Sequence, residues 1–124
     1  MELTPFFKSV IDQDRAPVVL CDLDHTVIYM NQTAIDRYAY AGGADLIGKS
    51  LLMCHNPQTC EIIKKVLAWF DESPDHNIIY ESYNDKENKD VYMVALRDDS
   101  GKLIGYYEKH EYRNRETAKF YDIK

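Results

Sequence analysis

Apolar positions along this 124-residue chain change period once, near Asn77. Before that point they recur mostly at helical spacing, and after it they form long β-type runs. Leu3, Phe6, Phe7, Val10 and Ile11 fall at i, i+3, i+4, i+7 and i+8. This predicts a short amphipathic helix with Thr4 as N-cap and Pro5 in its first turn. The helix ends near residues 12–15, where Pro17 forces Ala16 out of helical geometry. Residues 18–22 and 26–31 are two short β-rich runs joined by Leu23-Asp24-His25, which predicts a hairpin. Asn31-Gln32-Thr33 reads as a cap, Ala34, Ile35, Tyr38 and Ala39 as a short helix, and Gly42-Gly43 as its stop. Residues 45–52 read as a further short helical or irregular piece. The middle of the chain turns on residues 47–60, which combine a glycine turn, an apolar run, Cys54, His55, Pro57 and Cys60. That stretch opens into a helix over 58–70, with Cys60, Ile63, Leu67 and Phe70 on one stripe and Ile62, Val66 and Trp69 beside it.

Residues 77–83, 90–97 and 102–112 are β-type runs separated by 84–89 and 98–101. Both connections are turns too short to hold a crossover helix, so the three strands are expected to be antiparallel. The last segment, 114–124, is polar with Phe120, Tyr121 and Ile123, and reads as a short helix that docks or extends to a partner. No internal repeat, low-complexity segment or long linker divides the chain.

Composition narrows the function classes. A length of 124 residues at 45% hydrophobic content suits one domain with a real core. A net charge of -6 argues against the basic face that phosphate backbones need, so no direct nucleic-acid partner is expected. No apolar run approaches the roughly eighteen residues of a membrane span, and no secretory leader is evident. Three cysteines in that context fit a reducing compartment, so a cytoplasmic location is expected. Cys54 and Cys60 lie six residues apart, and His25, His76 and His110 are scattered, which matches no zinc pattern.

Three segments carry a family resemblance. Asp22 leads into Thr26-Val27-Ile28-Tyr29-Met30-Asn31, in the manner of D-x-x-G-x-I-x-x-x-N. Leu46-Ile47-Gly48-Lys49-Ser50 follows a hydrophobic-Ile-Gly-Lys/Arg-Ser/Asn pattern. Residues 97–105 carry D-x-x-G-x-hydrophobic-x-G. In this order and spacing they resemble the PAS family, across about residues 16 to 113. His25 departs from it, standing where a turn glycine is usual, and so does Glu111-Tyr112-Arg113, which replaces the common Asp-Ile-Thr ending and suits a stand-alone module.

The resemblance implies an α+β PAS fold: a five-stranded antiparallel sheet of order 2-1-5-4-3 with short helices on one face. It divides the chain into an N-terminal helix (1–15), the PAS domain (16–113) and a tail (114–124). It also implies a non-catalytic sensor that binds a small molecule and works in signal transduction or transcriptional regulation through protein association. The identity of any ligand stays open. The expected pocket residues are Tyr29, Ile35 and Tyr38, then Leu52, Cys54, His55 and Ile63, then Tyr80, Met93 and Tyr107. A homodimer is expected through Leu3, Phe6, Phe7, Val10 and Ile11, with an unidentified effector protein downstream.

Other readings attach to particular residues. His55 is a ligand candidate for a haem-based gas or redox sensor, although haem-binding relatives usually take their histidine from the long helix, which here has none. Cys54 precedes a helix N-terminus, a place that could lower its pKa and make it a redox or adduct-forming thiol, while a buried cysteine would behave as a small hydrophobe. Light-sensing flavin modules form their adduct from Asn-Cys-Arg-Phe-Leu-Gln, of which residues 53–58 share the cysteine. Photoactive-yellow-type modules need partner Tyr and Glu residues that are not evident. Finally, residues 18–26 resemble the first motif of haloacid-dehalogenase-type phosphatases, with Asp22 and Asp24 as nucleophile and acid/base. That fold needs a parallel sheet with interposed helices, whereas a hairpin turn needs only aspartates that bond their own backbone.

Overall fold

The structure, a computed structural model, describes residues 1–124 apart from the side chain of Cys54. Helix α1 (Thr4–Asp12) leads into β1 (Val19–Asp22) and β2 (Val27–Met30). Helix α2 (Gln32–Arg37) follows, then three single-turn 3-10 helices at Ala39–Ala41, Gly43–Leu46 and Leu51–Cys54. Helix α3 (Pro57–Glu72) precedes β3 (Ile78–Asn84), β4 (Lys89–Arg97) and β5 (Leu103–Tyr112). The strands form one sheet in the order β2-β1-β5-β4-β3, antiparallel at every pairing. This is the architecture expected from the sequence.

Local chemistry sets the helix starts. Asn31 Oδ1 accepts from the Ala34 amide at 3.0 Å and caps α2. Asn56 Oδ1 does the same for α3, accepting from Thr59 N at 2.8 Å with Pro57 at the first helical position. The expectation for Thr4 is corrected: the N-cap position of α1 is Leu3, with no side-chain cap, and Thr4 N instead donates to Glu2 Oε1 at 2.7 Å. The far end of α3 is held by Arg97. Its guanidinium donates to the carbonyls of Phe70 (2.7 Å), Ser73 (3.0 Å) and His76 (3.2 Å), tying the helix to the end of β4.

Residue parity on the strands decides which side chains meet the helices. On β4, Lys89, Val91, Met93 and Ala95 point inward, opposite Tyr112, His110, Glu108 and Tyr106 of β5. The core joins Cys21, Val27 and Met30 of the first hairpin, Ala34 of α2, Ile63 and Phe70 of α3, and Met93, Leu103 and Tyr106 of the sheet. Gly105 lets β1 approach β5 closely, since a Cβ built there would stand 2.2 Å from the Cys21 carbonyl oxygen. His25, which occupies the glycine place of the family motif, has φ 66 and accepts the left-handed conformation itself. Its ring Nδ1 is hydrogen-bonded to the Tyr106 hydroxyl at 2.9 Å.

The segment 114–124 is not helical, and Phe120, Tyr121 and Ile123 are almost fully exposed. Its polar spacing gives no apolar face for the core to hold.

Candidate functional site

Between the inner face of the sheet and the helices lie three adjoining pockets, or lobes, whose linings share Leu51 and Glu108. The largest, about 440 Å³, is walled by Ile62, Ile63 and Val66 of α3, Ile79, Glu81 and Ser82 of β3, and Met93, with Leu51 and His55 at the crossing from the 3-10 segment. A second lobe of about 140 Å³ runs under Tyr38, Tyr40 and Leu46 toward Val27 and Met30. The smallest, about 30 Å³, lies among Tyr38, Leu51, Tyr106, Glu108 and His110. Apolar walls with a few polar groups converging on one point are the usual form of a small-molecule site.

Glu108 owes its position to strand alternation, two places after buried Tyr106 and opposite Met93. Glu81 arrives by a different route. The β3–β4 register slips between Tyr80 and Ser82, so Glu81 is the extra residue of a β-bulge. Bulges re-aim side chains, and this one turns a carboxyl from the edge strand into the cavity. Although Glu81 as a whole residue is exposed, burial of its carboxyl and the neighbouring Glu108 push its pKa up from 4.5 to about 8. Histidine 110 is held below its usual range, first by burial and then by the charge of Lys89. Its Nδ1 is buried without a hydrogen-bond partner among the described residues.

The raised Glu81 pKa has a sign that can be measured. Between pH 4.5 and about 8 the unfolded chain loses the Glu81 proton while the folded chain keeps it. The folded state therefore binds more protons, and stability falls as pH rises through this window. Glu81→Gln is expected to melt higher than the parent at pH 8 and to narrow the difference in melting temperature between pH 5.5 and pH 8. Equal pH slopes in the two proteins would contradict the placement of Glu81.

Polar contacts also fasten α2 across the sheet. Arg37 binds Glu87 through both guanidinium nitrogens, at 2.8 and 2.7 Å. Lys89, 1% exposed, lies 3.3 Å from the same carboxylate without hydrogen-bond geometry, and 5.1 Å from the centre of the Tyr112 ring. The Arg37 bonds chiefly hold the Glu87 carboxyl down to about 2.

Of the residues the sequence singles out, Tyr38, His55, Ile63, Tyr80 and Met93 border the lobes, while Tyr107 touches the smallest but pairs with Leu20 on the outer face of the sheet. Tyr80 does so from the rim, since its ring lies 5.5 Å from that of Tyr92 and its hydroxyl donates to Asp90 at 2.7 Å. Ile35 and Leu52 pack against the core without lining a lobe. Tyr29 pairs with Leu20 on the opposite face, and its hydroxyl donates to Asp12 of α1. A register shift between Leu20 and Cys21 puts Val27 and Met30 inward and leaves Tyr29 out. The Cys54 side chain lies outside the described residues. Sequence reasoning missed Glu81, Leu51, Tyr106, Glu108 and His110. For Glu108 and His110 the available signal was their phase with Tyr106 on one strand.

The phosphatase-like motif is a hairpin turn. Asp22 Oδ1 accepts from the amides of Asp24 (2.9 Å) and Thr26 (3.0 Å), and Asp98 Oδ1 accepts from Ser100 and Lys102 in the same manner. The antiparallel sheet also removes the parallel framework that reading requires. Among the described residues, no group of three or more His, Cys, Asp or Glu side chains is arranged to hold a metal ion. No helix is long and apolar enough to cross a membrane.

Comparison with known proteins agrees with this geometry. A family model described as the PAS fold matches residues 11–109. No curated protein matches the sequence significantly. Among solved structures, the chain is similar to a PAS domain from Colwellia psychrerythraea, with a TM-score of 0.64 at 15% identity, covering 90% of this chain and 98% of that one. It is also similar to the Aer2 receptor of Vibrio cholerae, described as a dual PAS-heme oxygen sensor. There the TM-score is 0.53 at 17% identity, covering 76% and 90% of the two chains. A third similarity is to VqmA bound to DPO, with a TM-score of 0.55 at 17% identity, covering 90% of this chain and 58% of that one. With a family match over most of its length and the matching sheet order, the chain belongs to the PAS family of sensory modules in signalling.

Proposed function

We propose that this PAS domain senses a small organic molecule held between the sheet and α3, and signals by associating with other protein chains without catalysing a reaction. The observation that carries the reading is the 440 Å³ lobe, with apolar walls from α3 and the sheet and polar groups gathered at Glu108. VqmA, similar in fold, is described as bound to DPO, which supports small-molecule binding as a use of such a scaffold. Haem finds less support. The axial candidate His55 is an exposed loop residue, α3 carries no histidine, and carboxyls rather than cations line the large lobe.

Native mass spectrometry of the untreated protein tests the reading. The expected result is a complex heavier than its polypeptide by one small molecule per chain, released on denaturation. A mass equal to the polypeptide alone, from protein that also gains no thermal stability from any member of a fragment library, would overturn it. A Soret absorption band would redirect the reading to haem.

Association is assigned to α1. Phe6, Phe7 and Val10 are 58%, 62% and 73% exposed, while Ile11 faces a groove with Leu20, Leu96 and Tyr107 on the outer face of the sheet. An apolar helix face left in water suits a second copy of the chain. Phe6→Asp is expected to shift the sedimentation coefficient from dimer to monomer. An unchanged dimer would remove α1 from the interface.

A further inference from the structure

We infer that the cavity takes a cationic amine with an apolar body, its ammonium group placed at Glu108 and its body against α3. The inference rests on the small-molecule reading above and names the ligand's chemistry. Two carboxyls from strands on either side of β4 line the same lobe: Glu108, opposite Met93 on β5, and Glu81, delivered by the β3 bulge between the partners of Tyr92 and Val91. Neither has an ion-pair partner among the described residues. Beside Glu108, the 30 Å³ lobe has room for a group of about one water's size. His110, its pKa lowered first by burial and then by the charge of Lys89, lines that lobe, and its Nδ1 is a buried polar atom without a hydrogen-bond partner among the described residues.

The site therefore offers two carboxyls with no cation paired to them among the described residues. An ammonium donates three hydrogen bonds and accepts none, so it suits a place at the Glu81 and Glu108 carboxyls, which line the same lobe. An ammonium beside the pair offsets the like charge that, after burial, helps push the Glu81 pKa up. The rings of Tyr38 and Tyr106 border the same small lobe and suit a cation further. Among the described residues Lys49 is the one lysine or arginine lining the lobes, exposed on the second, and Lys89, whose charge acts on His110, lies 3.3 Å from Glu87 and lines none of them. A ligand carboxylate placed at Glu108 would meet like charge, so anionic ligands are disfavoured.

Isothermal titration with three matched probes tests the inference: 2-phenylethylamine, 2-phenylethanol and 3-phenylpropanoate. The amine is expected to bind at least ten-fold more tightly than the alcohol, and the carboxylate more weakly than either. Glu108→Gln is expected to reduce amine affinity about ten-fold and leave the alcohol unchanged. Glu81→Gln, which keeps the bulge and removes one carboxyl, is expected to weaken the amine in the same direction and serves if the Glu108 variant folds poorly. Equal binding of alcohol and amine, tighter binding of the carboxylate, or an amine preference that survives both substitutions overturns the ligand class while leaving the cavity reading intact. Failure of all three probes to bind overturns the ligand class, and the cavity reading then stands or falls with the native mass and the fragment library.

Discussion

Replacing Gly105 with alanine is expected to lower the melting temperature by about 10 °C or more, through a loss of roughly 3 kcal/mol. The added Cβ would stand 2.2 Å from the Cys21 carbonyl oxygen, 3.3 Å from its carbon and 3.5 Å from Asp22 Cα. All three are backbone atoms, so no side chain can turn away. Relief would require β1 to move off β5, and β1 holds β2 to the rest of the sheet. The cavity would suffer with the sheet, since Val19 and Cys21 of β1 line it beside Tyr106. Gly101→Ala is the control. It lies at φ +87 with no neighbour within 4 Å, so only backbone strain of about 1 kcal/mol is expected. Thermal melts followed by circular dichroism compare the two, and a Gly105 variant as stable as the Gly101 variant would contradict the close approach.

The second large effect is expected at Asn31, whose side chain is 1% exposed and joins three elements. Its Oδ1 accepts from Val18 N and Ala34 N, both at 3.0 Å. Its amide donates to the Ile11 and Ala16 carbonyls, also at 3.0 Å. Alanine leaves these backbone groups without their partner and removes the cap of α2, at a cost of roughly 3 kcal/mol. Asn31→Asp keeps the two acceptor bonds but sets a carboxylate oxygen against two carbonyls, so it too is expected to destabilise. Urea unfolding measures both variants. A loss below about 1 kcal/mol for the alanine variant would show that water replaces the network.

Asn31 also shows what the sequence could say. Its place as the cap of α2 was legible, because Asn before an apolar helical stripe has a local cause. Its bonds to Ile11 and Val18 were not, because they depend on how α1 and β1 meet. The strands and their antiparallel pairing were legible for a similar reason: the connections at 84–89 and 98–101 exclude a crossover by length alone. Facing was harder to read. Tyr29 was assigned inward, but a register shift in the β1–β2 hairpin reverses it toward Asp12. Glu81 was hidden by the β3 bulge, which composition does not announce. Glu108 lay in plain alternation with Tyr106, yet a glutamate in a strand is ordinarily given to solvent. The two carboxyls that distinguish this cavity were therefore the residues least legible in the sequence.

The central claim is that the space between α3 and the inner face of the sheet is a ligand site. Two-dimensional amide NMR during titration with fragment-sized molecules measures this directly, residue by residue. The expected result is saturable shifts at Ile63, Val66, Ile79, Met93 and Glu108. Shifts confined to Leu20, Leu96 and α1 on the opposite face, or none at millimolar fragment, would contradict it.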